Sequence, residues 1–143
     1  MMNSVAYDKA FSFALDIIEL YKNLTLKKSE YVLSKQILRS GTSIGANIKE
    51  GINGQSKKDF LSKMSIALKE AEETEYWIQL LRYSNYIDDK ITYLLLENCK
   101  EIIKILVTTI KTTKMNLKLK LLKNLFLLYT LKLTALSSLL CDL

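Results

Sequence analysis

The chain has 143 residues, 49 % of them hydrophobic and 25 % charged, a size and balance that suit one globular domain with a real core. It has no proline and four glycines, all between Gly41 and Gly54, too few turn residues for a β-rich fold. There is no histidine, and the net charge of +6 permits a polyanionic partner without requiring one.

Taken in chain order, apolar residues at steps of three and four predict four helices. The first runs from about Ser4, a candidate cap, to Leu24, with Tyr7, Ala10, Phe11, Ala14, Ile17, Ile18, Tyr21 and Leu24 on its inner face. The polar stretch 25–29 ends it. The second starts with Ser29 as a possible cap and carries Leu38, Gly41, Ile44, Gly45, Ile48 and Ile52. Gly51-Ile-Asn-Gly54 is the clearest turn signal, and Gly51 is placed to stop the helix.

The third helix opens with Ser56 and Asp59, an acidic variant of the capping box. Its stripe is Phe60, Leu61, Met64, Ala67, Leu68, Ala71, Ile78 and Leu81, and it ends near Ser84-Asn-Tyr86. The fourth begins near Asp88 and Asp89, whose charge suits a helix N-terminus, and carries Ile91, Leu95, Cys99, Ile102, Ile105, Leu106 and Ile110 to about Lys114. The predicted fold is all-α: residues 1–114 form an antiparallel up-down-up-down four-helix bundle.

Residues 115–143 form a separate Leu-rich extension, helical or poorly ordered, in which 13 of 29 residues are Leu. Three readings stand for it: an extension of helix four, an apolar helix lying on a membrane or partner, or a degenerate end with no selected role. A membrane-spanning helix is disfavoured because Lys132 lies near the middle of residues 124–141, where a charge costs roughly 3 kcal/mol.

The inventory for catalysis is poor. Without histidine the commonest general base and the Ser-His and Cys-His pairs are missing. Two distant cysteines, Cys99 and Cys141, make neither a disulfide framework nor a zinc site, and they read as small apolar residues in a reducing compartment. Neither a P-loop nor a Gly-rich nucleotide fingerprint occurs. The expectation is no enzyme, no catalytic or metal residue, no cofactor and no small-molecule substrate. The N-terminus lacks the basic and apolar regions of a secretion signal, which reads as cytoplasmic.

Two polar features remain. On helix two, Arg39, Ser43, Asn47 and Glu50 fall on one ridge, and Arg39 is expected to pair with a helix-three carboxylate, Glu75 first among them. Glu72 and Glu73 read as solvated. On helix four, Lys100, Lys104, Lys111 and Lys114 lie opposite the apolar stripe, interrupted by Glu97 and Glu101. With Lys57, Lys58 and Lys63 they form a candidate phosphate-contacting surface, set against the plainer reading of a solvated face.

The segment Gln36–Gly51 resembles the signature of the small bacterial four helix bundle protein family, which includes proteins encoded in intervening sequences of 23S rRNA genes. It is also similar to the accessory variability determinant of diversity-generating retroelements. Ser56–Phe60 and Ser65–Glu75 match the next block in order and spacing, and the resemblance covers about residues 4–114. It implies a homopentamer that binds RNA or DNA, or a reverse transcriptase with its RNA, and no catalysis. Arg39, Ser43, Asn47, Glu50, Gly51 and Glu75 carry over as structural and interface positions. Gly45 stands where relatives often carry proline, which implies a softer kink in helix two. The tail from Met115 has no counterpart. A protein-interaction module without nucleic acid, or membrane association through the tail, is the alternative.

Overall fold

The structure is a computed structural model that describes residues 4–141, with side chains described through residue 134. Four helices follow in order, α1 (Val5–Lys28), α2 (Leu33–Ile52), α3 (Lys57–Tyr83) and α4 (Asp89–Cys141), and there is no strand among the described residues. The chain divides into two units, Met1–Ile110 and Lys111–Leu143.

The first unit is the bundle. Its neighbours run antiparallel, as shown by which residues meet. Gly41 and Gly45 of α2 lie against Ile17 and Ala10 of α1, so one number rises as the other falls. Between α2 and α3, Ser40 meets Thr74 and Gly51 meets Met64. Between α3 and α4, the Cys99 thiol lies 3.3 Å from the Ala71 carbonyl. Lys9 of α1 reaches Glu101 of α4 at 2.8 Å, so the ring of four closes.

Side chains from all four helices fill the core, among them Phe13, Ile17, Leu24, Ile37, Ile44, Ile48, Met64, Ile78, Leu81, Ile102 and Leu106, each at most 2 % exposed. The inner face of α1 is turned by about 60° from the expected one. Phe13 and Leu20 are buried, whereas Phe11 is exposed and Tyr7 and Tyr21 are half-buried. The physical reason is that Phe13 and Leu20 bury no polar atom, while each tyrosine hydroxyl is best left wet at the rim. Similarly, Ile37 is buried on α2 while Ile52 is exposed. On α4, Thr92 is buried with its hydroxyl on the Asp88 carbonyl at 2.7 Å, and Ile91 lies outside.

Helix starts follow the sequence in three cases. Ser4 accepts from the Tyr7 N–H at 3.4 Å, Ser56 from the Asp59 N–H at 3.0 Å, and Asp88 from the Ile91 N–H at 2.8 Å. The start of α2 differs. Ser29 does not cap it; with φ of 51° it closes α1, its N–H bonding the Leu24 carbonyl. The cap is Glu30, whose carboxylate accepts from the N–H groups of Val32, Leu33 and Ser34 at 2.7–2.9 Å. One carboxylate satisfies three of the four orphan donors of a helix start, more than a serine hydroxyl can.

Gly51 also differs from expectation. It lies inside α2, no glycine has positive φ, and the helix continues to Ile52. What the position requires is close packing: a Cβ on Gly51 would sit 2.7 Å from the Met64 Cε and 3.1 Å from the Lys63 Cβ.

The second unit is helical from Lys111 to Cys141. Its large apolar side chains are exposed from Leu119 through Leu133, and Leu117 is half-buried. No helix among the described residues is long and apolar enough to cross a membrane.

Candidate nucleic-acid interface

On α4, Cys99, Ile102 and Leu106 face the core, and the 3.6-residue turn therefore puts Lys100 and Lys104 outside, where both are exposed. Of the two acids expected to interrupt this row, Glu101 is engaged by Lys9, an ion pair between helices with no signal in residue spacing. Glu97 remains exposed and unanswered by any described ion pair.

Lys57 and Lys58 occupy the first turn of α3, which runs antiparallel to α4 and so begins at the bundle end nearest Ile110. Two cations at a helix N-terminus oppose the helix dipole by a few tenths of a kcal/mol each, which Asp59 offsets in part. Lys57 also lies over the Phe60 ring at 6.0 Å. Lys63 is drawn out of this set: its ammonium is held by Glu50 of α2, and that hydrogen bond raises its pKa. Lys111 and Lys114 are exposed and belong to the second unit.

The polar ridge of α2 is real, with a different partner. Arg39 pairs with Glu70 at 3.3 Å and with Glu73, not with Glu75. Glu70 and Glu73 stand three apart and share a face of α3, whereas Glu75 is turned about 200° from Glu73. Glu75 lies one turn beyond Ala71, on the side facing α4, close enough for its charge to act on the Cys99 thiol. Glu73 is not simply solvated either: the Trp77 indole N–H donates to its Oε1 at 3.0 Å. That hydrogen bond first, and Arg39 second, hold its carboxyl below the usual range. Further along the ridge, the Asn47 side-chain amide donates to the Ser43 carbonyl at 2.9 Å, a bond within its own helix.

Beneath the ridge is a buried pair of hydroxyls, Ser40 and Thr74, with oxygens 2.9 Å apart, and Thr74 Oγ1 is 2.7 Å from the Glu70 carbonyl. Two protons serve one bridge between helices and one carbonyl, so neither group is orphaned. Neither residue breaks the pattern of an apolar stripe strongly enough to be found from sequence; their only signal is a small polar residue at an inward position on each helix.

Cys99 is fully buried, and burial, with the Glu75 charge adding to it, pushes its thiol up to about 12. Such a thiol is a packing group, not a nucleophile. Among the described residues, no three or more His, Cys, Asp or Glu side chains gather as metal ligands. The arrangement can offer cations to phosphates and hold helices in place.

The family profile described as 23S rRNA-intervening sequence protein matches residues 2–108. A crystal structure of a protein of unknown function from the S23 ribosomal protein family, from Bacteroides thetaiotaomicron, is 50 % identical to this chain. That similarity covers 75 % of this chain and 99 % of the other, with a TM-score of 0.74. No curated protein matches the chain.

Proposed function

We propose a role for this chain, which belongs to the 23S rRNA-intervening sequence protein family, as a non-catalytic, oligomeric bundle that binds nucleic acid in the cytoplasm. The observation that carries the reading is the outward row of Lys100 and Lys104 on a rigid helix, with the intervening Glu101 already neutralised by Lys9. Lys57 and Lys58, both exposed at the start of α3, extend the supply of cations. Such a surface positions phosphates without reading bases, so structured RNA of varied sequence is the expected ligand. The absence of histidine and the inert Cys99 support a role without catalysis. Assembly into a homopentamer would repeat each lysine row five times, which raises the avidity of a mildly basic surface.

The test is binding of the full chain to an RNA hairpin across a salt series. Affinity should fall linearly on a log–log plot, with a slope of about −0.9 for each duplex phosphate neutralised. The double variant Lys100→Glu, Lys104→Glu should flatten that slope while the helical signal is unchanged. A salt-independent affinity, or a variant that binds as the parent does, overturns the reading. The runner-up is a protein-assembly module, with a reverse transcriptase or another protein as its partner; a complex that survives nuclease treatment would favour it.

A further inference from the structure

The second unit carries something the bundle reading does not use. Along its helix, Leu119, Leu122, Leu125, Phe126, Tyr129 and Leu133 fall within an arc of roughly 120° at 100° per residue. Every residue of 119–133 in that arc is apolar. All six are exposed, Leu122 by 53 % and Phe126 by 70 %. Thr130 and Lys123 border the arc on one side and Lys132 on the other, and Lys120 is on the far face, where Leu121, Leu127, Leu128 and Leu131 are also exposed. No carboxylate occurs from Ile102 to Cys141.

Three occupants compete for this face, and its chemistry decides between them. A nucleic acid would use the lysines but leave six large apolar side chains in water. A second copy would cover the apolar arc, since five of the six follow alternating three-and-four steps. In a parallel pair it would then set Lys118 of one copy against Lys123 of the other, with no acid to answer either. A lipid surface rich in anionic headgroups satisfies both parts at once. The arc sinks to the acyl boundary, and the bordering lysines extend along their aliphatic stems to the phosphates.

We propose that the helix of the second unit is an interfacial membrane anchor, lying in the plane of an anionic bilayer rather than crossing it. Lying flat also removes the difficulty of Lys132, whose charge need never leave the headgroup layer. This assignment stands independently of RNA binding by the bundle.

The experiment is co-sedimentation of the full chain with vesicles of phosphatidylcholine alone and of phosphatidylcholine with an equal part of phosphatidylglycerol. The chain should pellet with the mixed vesicles and far less with the neutral ones. Each lysine near an anionic surface contributes about a fivefold factor, so Lys120→Gln, Lys123→Gln, Lys132→Gln together should weaken partition by about 100-fold. Leu122→Ser, Phe126→Ser, Tyr129→Ser should abolish it. Circular dichroism of both variants confirms that the bundle is folded. Equal binding to neutral vesicles overturns the proposal. So does failure to bind either vesicle, whether the apolar variant lowers the solution mass, which assigns the face to a second copy, or weakens only RNA binding.

Discussion

Gly41 lies beneath Ile17, and a Cβ added to the glycine would sit 2.9 Å from the Ile17 Cγ1 and 3.0 Å from its Cγ2. Ile17 is fully buried and β-branched, so it has no second rotamer to retreat to. Four residues on, a Cβ on Gly45 would meet the Ala10 backbone at an ordinary 3.7 Å. The two glycines of one helix should therefore respond in opposite directions. Gly41→Ala should destabilise the bundle by about 1–3 kcal/mol through overpacking. Gly45→Ala should stabilise it by roughly 0.5–1 kcal/mol through backbone entropy. Urea unfolding of both variants checks this, and equal signs would show that the α1–α2 approach is not set by Gly41.

Glu30 makes the start of α2 sensitive to acid. Burial alone would raise its pKa, but N–H donors from Leu33, Ser34 and Val32 bring it below the ordinary value of 4.5. A carboxylate depressed on folding contributes stability that is present above the unfolded value and lost as pH falls through the folded one. Glu30→Gln should cost about 1–2 kcal/mol at pH 7, the range of a lost cap. The gap between parent and variant should narrow once the pH is taken below about 4.5. A gap that stays constant down to pH 3 would rule out the carboxylate as the cap.

The Arg39 cluster should matter little for stability. Its guanidinium side chain is half exposed, and surface pairs of this kind contribute about 0–1 kcal/mol. Arg39→Ala should move the unfolding midpoint only slightly. It should still change the Trp77 emission, because the indole shares Glu73 Oε1 with Arg39. A loss above about 2 kcal/mol would mean that the ridge is a structural keystone instead of a surface feature.

Cys99 gives a probe of opening. Its thiol is pushed from 9.0 to about 12, three decades. At pH 8 its thiolate fraction is thus about a thousandfold below that of an ordinary cysteine. In a Cys141→Ser background, a thiolate-directed reagent should modify the chain only under unfolding conditions. Rapid labelling of the folded chain would place the thiol outside the core.

The four helices and most of their ends were legible in the sequence because apolar spacing, Ser4, Ser56 and the acidic pair at Asp88 and Asp89 each act locally; the end of α4 was not, since the helix expected to stop near Lys114 continues to Cys141. The pairing of Arg39 with α3 was legible to the level of the helix. Choosing Glu70 and Glu73 over Glu75 needed the rotation of α3 about its axis, which packing against two neighbours determines. The same holds for α1, where two overlapping ladders of apolar residues competed and Phe13 prevailed over Phe11. Ser29 is a common capping residue type, but here the chain turns left-handed at it and leaves the task to Glu30. Lys63 looked like a free cation because its partner, Glu50, comes from the facing helix, across a loop whose geometry spacing does not specify.

The hydroxyls of Ser40 and Thr74 bear on how the two helices are aligned lengthwise. Aliphatic side chains slid by one turn would still find aliphatic neighbours, at modest loss. The bridge would not survive: Thr74 would keep only the Glu70 carbonyl of its own helix and Ser40 only the Ile37 carbonyl of its own, and the hydrogen bond between the helices, about 0.5–1.5 kcal/mol, would be lost. This single bridge therefore acts as a vernier between α2 and α3, and with the close approach of Gly51 to Met64 it favours one lengthwise placement of the outward-facing residues of each helix.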